Sequence, residues 1–155
     1  MQNLIRFVRV FLIFLFFDFF TDPKQPFRAL KQPKFVVNFE SIKSNALSAN
    51  PKQVLDARGG KRFNEKHIPQ SFSTPFTDLF NEDKTFKSKE ELEKYFKQKN
   101  VDISSEIVTS CGSGITACII AHALFNSVGK EVSVYDGSFS EWKVRAPELI
   151  GKLEE

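Results

Sequence analysis

The chain has 155 residues, the length of one ordinary domain, and its 22 Lys and Arg against 19 Asp and Glu give a net charge of +3. This mild charge is too small to indicate a nucleic-acid footprint, so we expect no nucleic-acid partner. The two cysteines, Cys111 and Cys118, are too few for a disulfide-based scaffold and favour a reducing compartment.

Residues 1–25 form an apolar, phenylalanine-rich segment and the start of a linker. The apolar run from Val10 to Phe17 is too short to span a bilayer, which takes about 20 such residues. Three interpretations stay open: a targeting or membrane-surface segment, a hydrophobic arm packed on a partner, or a stretch without a folded role. The proline-containing linker places the domain boundary near Pro26, so we expect one folded domain over residues 26–155.

Strand and helix patterns alternate along the rest of the chain. Buried strands are predicted for QVLDA, EIVTS and EVSVYDG, and helices for FESIKSNAL, SKEELEKYFKQKN and ITACIIAHALFNSVG. A capping box at Ser88 and the glycine at Gly129 mark two helix ends, and Ser138 is expected to cap the last helix. The pair Gly59 and Gly60 is expected to open a long loop. This alternation predicts an α/β domain with a mainly parallel sheet.

The stretch SCGSGITAC places Cys111 where a strand ends and a helix begins, the edge at which parallel sheets bind ligands. Gly112 and Gly114 allow the backbone to curl with its N–H groups pointing inward, while Ser113 and Thr116 add hydroxyl donors. We therefore expect an anion cradle that lowers the pKa of the Cys111 thiol and stabilises a persulfide.

These residues also allow other interpretations. Cys111 could be a small buried hydrophobe at a strand end. A phosphatase loop is disfavoured, because Ala117 stands where the C-x5-R pattern needs its arginine. Cys118 lies two turns into an apolar helix and is predicted to pack in the core. His122 follows one turn later without further ligands nearby, so we expect no metal and no organic cofactor.

Four motifs together resemble the rhodanese-type sulfurtransferases, and most of all the C-terminal catalytic domain of the type that uses 3-mercaptopyruvate. CGSGIT is similar to the active-site loop, VLDARGGKRF to the first core strand, KHIPQSFSTPF to the GHIPGA stretch and VYDGSFSEWKVRA to the closing YDGSWxEW motif. The resemblance runs from about Pro26 to Ile150. It implies a single rhodanese-like domain, an α/β fold with a mainly parallel five-stranded sheet flanked by helices.

The resemblance also implies a sulfurtransferase of the cytoplasm or the mitochondrion. Cys111 would take sulfur from 3-mercaptopyruvate, or from thiosulfate, as a persulfide and pass it to a thiol such as thioredoxin or to cyanide. Ser113 would assist proton transfer, and Arg62 would hold the substrate carboxylate. The rest of the active-site loop would be Gly112, Gly114, Ile115 and Thr116.

The chain also departs from the family pattern. The family's second substrate-binding arginine has no counterpart in FNEKHIP, and Lys66 and Gln70 replace the two glycines of GHIPGA. His67 matches the structural histidine of that motif, and we assign Asp56 and Arg58 to a structural role. In the two-domain enzymes of the family, the serine that matches Ser113 has His and Asp partners from an N-terminal domain. A catalytically weakened binding module, or half of an enzyme completed by a separate N-terminal rhodanese domain, therefore stay as alternatives.

Overall fold

The computed structural model describes residues 32–152. The apolar segment over residues 1–25 and the predicted boundary near Pro26 lie outside the described residues. Within the described part, five strands form one parallel sheet in the order β1-β5-β4-β2-β3. The predicted α/β fold with a five-stranded parallel sheet flanked by helices is confirmed.

Short strands and helices alternate along the chain. The strands are β1 Val36–Val37, β2 Gln53–Asp56, β3 Ser71–Ser73, β4 Ile107–Ser110 and β5 Ser133–Tyr135. The helices are α1 Phe39–Ala46, α2 Gly60–Glu65, α3 Lys89–Gln98, α4 Ala117–Val128 and α5 Ser138–Arg145. Short 3-10 turns cover Pro33–Phe35, Phe76–Leu79 and Pro147–Leu149. No helix within residues 32–152 is long and apolar enough to cross a membrane.

Local sequence signals explain two of the helix ends. The Ser88 side chain accepts a hydrogen bond from the Glu91 N–H, and the Glu91 carboxylate accepts one from the Ser88 N–H, so the predicted capping box of α3 is confirmed. Gly129 adopts the left-handed conformation, with φ of 67°, and ends α4 as predicted.

Both faces of the sheet are covered, as is usual for parallel strands. Leu55 of β2 faces one core layer, in which it packs with Phe96 and Ile120. The preceding residue, Val54, faces the opposite layer, which contains Trp142. Because successive strand residues point to opposite faces, the short apolar runs of β2 and β4 supply both layers. Cys111 belongs to the layer of Leu55.

Three predictions about local structure are wrong. The residues after the glycine pair do not form a long loop, because burial of Phe63 anchors the helical turn of α2. Cys118 is exposed rather than in the core, since it lies one position off the buried face of α4. Ser138 does not cap α5 with its side chain: Gly137 is the N-cap residue, and Ser138 is the first residue of the helix.

In the KHIPQ stretch, a residue other than glycine takes a left-handed turn conformation. Gln70 adopts a left-handed backbone with φ of 60°, and its side-chain amide donates a hydrogen bond to the Ala46 carbonyl oxygen at 2.9 Å. The buried His67 ring stacks on Phe63 with centroids 4.3 Å apart, and its Nδ1 donates to the Phe63 carbonyl oxygen. These contacts agree with the structural role predicted for the histidine.

Candidate active site

The candidate nucleophile stands at the carboxyl edge of the sheet. Cys111 directly follows β4, and its side chain is almost wholly buried, with 1% exposed. The neighbouring strand β2 ends level with β4, because Asp56 pairs with Ser110 in register. One residue further, the Ala57 N–H donates a hydrogen bond to the Ser110 carbonyl oxygen at 2.8 Å. The chain segments that leave β2 and β4 therefore lie side by side.

The loop after Cys111 turns back on the sulfur atom. The Gly114 N–H donates a hydrogen bond to Cys111 Sγ at 3.1 Å. Gly114 has φ of 86°, and a Cβ there would stand 2.6 Å from the Asp136 carbonyl oxygen. Both the backbone conformation and the close approach of β5's end require glycine at this position.

Hydrogen bonds around the thiol favour its ionised form. Burial raises the pKa of the Cys111 thiol, but hydrogen bonds from the Thr116 hydroxyl and from the backbone N–H groups of Ser113 and Ala117 outweigh burial and leave the pKa lowered. This direction agrees with the prediction. Ser113 contributes its backbone rather than the predicted hydroxyl, which is exposed and has no hydrogen-bond partner within residues 32–152.

Ser138, which the sequence predicts as a helix cap, lies against the nucleophile. The Cys111 N–H donates a hydrogen bond to Ser138 Oγ at 3.1 Å, and that oxygen lies 3.9 Å from Cys111 Sγ. A hydroxyl has one proton to donate. Ser138 Oγ donates it to the Tyr135 carbonyl oxygen, 2.8 Å away. Ser138 is fully buried and has φ of 50°.

The first turn of α5 holds the loop through two further hydrogen bonds. The Phe139 N–H donates to the Cys111 carbonyl oxygen at 3.0 Å, and the Ser140 N–H donates to the Gly112 carbonyl oxygen at 2.9 Å. Together with Ser138, these bonds fix the backbone on which the thiol is carried. No local pattern pointed to this contact, because it arises from β5 lying beside β4 in the sheet.

The other predicted site residues are more exposed than Cys111. Ile115 is 75% exposed, and Thr116 is partly buried at the start of α4. Arg62 lies on α2, which begins just after β2, and its exposed side chain makes no ion pair or hydrogen bond within residues 32–152. The loop thus combines a buried thiol with an exposed rim.

Asp56 and Arg58 form a buried ion pair that lies next to Phe139. Arg58 Nη2 lies 2.6 Å from Asp56 Oδ2 and also donates to the Lys66 carbonyl oxygen at 2.9 Å. The guanidinium lies 4.0 Å from the ring centroid of Phe139, the residue whose N–H binds the Cys111 carbonyl. The geometry agrees with the structural role assigned to both residues.

Cys118 and His122 do not come together with further ligands. The Cys118 thiol donates to the Gly114 carbonyl oxygen at 3.4 Å, and His122 Nε2 lies 2.8 Å from the Asn126 amide nitrogen. In the part of the chain that the structure describes, no group of three or more His, Cys, Asp or Glu side chains could hold a metal ion.

This chain is similar to known proteins over most of its length. A family model described as a rhodanese-like domain matches residues 41–145. Human 3-mercaptopyruvate sulfurtransferase is 38% identical over 131 residues, which cover 77% of this chain and 44% of that protein. Chicken thiosulfate sulfurtransferase is 35% identical over 139 residues, which cover 81% and 48%.

A solved structure agrees with these sequence relatives. The sulfur transferase subunit, described as sub-stoichiometric, of yeast mitochondrial complex I has a TM-score of 0.71 and 35% identity over 86% of this chain and 50% of its own. The chain thus spans about half the length of the relatives it matches. Because the family model covers more than half of the chain, this protein belongs to the rhodanese family.

Proposed function

We propose that this protein is a sulfurtransferase that moves a sulfane sulfur from 3-mercaptopyruvate or thiosulfate, through a persulfide on Cys111, to a thiol or cyanide. The observation that carries the proposal is the Gly114 N–H at 3.1 Å from Cys111 Sγ, in a loop that lowers the thiol pKa. The same donors stabilise the Cys111 thiolate both as the attacking group and as the leaving group when the persulfide is cleaved.

The first step forms the persulfide. The Cys111 thiolate attacks the sulfur of 3-mercaptopyruvate, an S–S bond forms, and the donor's C–S bond breaks with its electron pair going to carbon. The resulting pyruvate enolate takes up one proton to become pyruvate. The Ser113 hydroxyl, which is exposed and lies two residues after Cys111, is the group we assign to that proton transfer. With thiosulfate, the same attack releases sulfite.

The second step regenerates the thiolate. An acceptor thiolate attacks the outer sulfur of the Cys111 persulfide, the S–S bond breaks, and its electron pair returns to Cys111 Sγ. The acceptor leaves as a persulfide, or as thiocyanate when the acceptor is cyanide. No metal or organic cofactor enters either step, since the thiol alone carries the sulfur. A small reducing protein such as thioredoxin is the acceptor class that we propose.

The choice of donor and the setting of the enzyme are proposals as well. The relatives are named for 3-mercaptopyruvate and for thiosulfate, so both donors are candidates for this chain. We propose a mitochondrial or cytoplasmic location, and the yeast relative is a mitochondrial protein. Since the relatives are about twice as long, we also propose that a separate rhodanese domain raises the activity.

Intact-protein mass spectrometry after brief exposure to each donor tests the proposal. The wild-type chain should gain one sulfur atom, Cys111→Ser should gain none, and Cys118→Ser, which alters the other cysteine, should gain one. Faster gain from 3-mercaptopyruvate would identify the preferred donor. If no form gains sulfur while Cys111 still reacts with an alkylating agent, the chain is better described as a rhodanese-like binding module.

A further inference from the structure

The first turn of α5 spends its backbone N–H groups on the loop that carries the thiol. The N–H groups at the start of an α-helix have no partner inside the helix. In α5, the Phe139 N–H donates to the Cys111 carbonyl oxygen. The Ser140 N–H donates to the Gly112 carbonyl oxygen in the same way. The position of the loop therefore depends on where the first turn of α5 lies.

One carboxylate on α5 connects this first turn to the end of β5. Glu141 Oε2 accepts a hydrogen bond from the Tyr135 hydroxyl at 2.9 Å, and Tyr135 is the last residue of β5. The same carboxylate lies against Gly137, the N-cap residue of α5, where an added Cβ would overlap it. Glu141 thus contacts the residues on both sides of the bend between β5 and α5.

The charges around Glu141 keep it an acceptor. Arg145 Nη1 donates to Glu141 Oε1 at 2.8 Å, and this hydrogen bond holds the pKa of Glu141 below its usual range. Burial and the hydrogen bond to Glu141 raise the pKa of Tyr135, so its hydroxyl stays protonated. Arg145 Nη2 also binds a carboxylate of α1, Glu40 Oε1, at 2.7 Å. The carboxylate therefore accepts, and the Tyr135 hydroxyl donates, at neutral pH.

We propose that Glu141 is a positioning residue for the nucleophile: it fixes the start of α5 through Tyr135 and Gly137, and α5 in turn holds the Cys111 loop. The inference rests on the proposed function and deepens it by adding a residue that touches no reacting atom. Within residues 32–152, the Glu141 carboxylate hydrogen bonds to Tyr135 and Arg145, so it acts on Cys111 through the helix.

The pH dependence of Cys111 alkylation by iodoacetamide tests this role without sulfur transfer. Every protein, the reference included, carries Cys118→Ser, so that Cys111 is the thiol that reacts. Glu141→Ala should move the midpoint to higher pH and lower the rate below it about threefold, because the donors of the displaced loop bind the thiolate less well. A direct effect of charge has the opposite sign, since removal of a carboxylate favours the thiolate.

Three further variants separate position from charge. Glu40→Ala removes the other carboxylate bound to Arg145, and its midpoint should stay the same or fall slightly. Tyr135→Phe keeps the buried ring and loses the hydroxyl, so it should reproduce the shift of Glu141→Ala. Glu141→Gln keeps an oxygen that accepts from the Tyr135 hydroxyl, and its midpoint should stay close to that of the reference.

The outcomes divide cleanly between the role of Glu141 and the proposed function. A Glu141→Ala midpoint equal to that of Glu40→Ala, or at or below that of the reference, overturns the positioning role. Thermal unfolding shows which variants are folded, and Tyr135→Phe decides the question if Glu141→Ala is not.

Persulfide formation gives the second readout. Below the midpoint, Glu141→Ala should gain sulfur from 3-mercaptopyruvate about threefold more slowly than the reference, because less of its thiol is ionised. Intact-protein mass spectrometry measures this rate. If the reference gains no sulfur, the proposed function is rejected, while the alkylation midpoints still decide the role of Glu141.

Discussion

The hydroxyl of Ser138 accepts a hydrogen bond from the Cys111 N–H at 3.1 Å while it donates its own proton to the Tyr135 carbonyl oxygen at 2.8 Å. One side chain thus joins the end of β5 to the first residue after β4. It does so in a left-handed conformation, with φ of 50°, that costs a residue other than glycine about 1 kcal/mol. The hydrogen bond to Ser138 Oγ offsets this strain, because it gives the buried N–H group of Cys111 a partner.

Two replacements of Ser138 should separate the cost of its left-handed backbone from the gain of its hydrogen bond to the Cys111 N–H. Ser138→Ala leaves the Cys111 N–H without its partner and should lower the free energy of unfolding by about 1–3 kcal/mol. Ser138→Gly loses the same bond but relieves the left-handed strain, so it should be about 1 kcal/mol more stable than the alanine variant. Urea unfolding of the three proteins measures both differences. A glycine variant no more stable than the alanine variant contradicts the strain argument.

Ser138→Ala and Ser138→Gly should both raise the pKa of the Cys111 thiol. When the thiol ionises, the Ser138 hydroxyl can turn its proton from the Tyr135 carbonyl oxygen to Cys111 Sγ, 3.9 Å away. This hydroxyl is among the hydrogen-bonding groups that lower the pKa of Cys111, so its loss should raise that pKa. The pH dependence of the rate of iodoacetamide alkylation reports the thiol pKa directly. Because both variants lack the hydroxyl, both midpoints should move to higher pH by similar amounts, whatever their stabilities.

Gly114 and Gly112 should respond differently to alanine. Gly114→Ala forces a side chain into a left-handed conformation and against the Asp136 carbonyl oxygen, so it should cost about 2 kcal/mol or more. Gly112→Ala meets no atom within 4 Å and should change stability by less than about 1 kcal/mol. Urea midpoints compare the two. Equal destabilisation would show that the turn at Gly114 adapts to a side chain.

Ionisation of Cys111 should make stability depend on pH. Its pKa in the folded protein is lowered relative to that of an unfolded thiol, about 8.5. Between the two pKa values the unfolded chain then binds more protons than the folded chain, so the free energy of unfolding rises with pH across that range. This contribution of Cys111 to stability is lost as pH falls through the pKa of the folded protein. The difference between wild type and Cys111→Ser should grow as pH rises from neutral toward about 9. Parallel pH profiles for the two proteins would contradict this expectation.

The turn at Gln70 offers a test of a departure from the family. Gln70→Ala keeps the left-handed backbone, with φ of 60°, but loses the hydrogen bond to the Ala46 carbonyl oxygen. Gln70→Gly loses the same bond and removes the strain, so it should be about 1 kcal/mol more stable than Gln70→Ala. Thermal unfolding ranks the variants. The reverse order would mean that this turn changes conformation on substitution.

Much of the fold and part of the site followed from short stretches of sequence. The capping box at Ser88 and the left-handed Gly129 depend on neighbours within one helical turn, so local pattern predicts them. The Cys111 loop was predictable for the same reason, because all of the thiol's donors except Ser138 lie within six residues of it. The strands β1 and β3 were not, since two or three residues carry no periodic signal.

The sequence by itself determined the alternation of strands and helices, the position of Cys111 at a strand end and the glycine that the loop needs at residue 114. Only the tertiary structure decided that Ser138, 27 residues later in the chain, meets Cys111, because that contact requires β5 to lie beside β4. It also placed Cys118 outside the core and brought the ends of β2 and β4 together. Periodicity and capping act over a few residues, whereas strand order depends on the packing of the whole sheet.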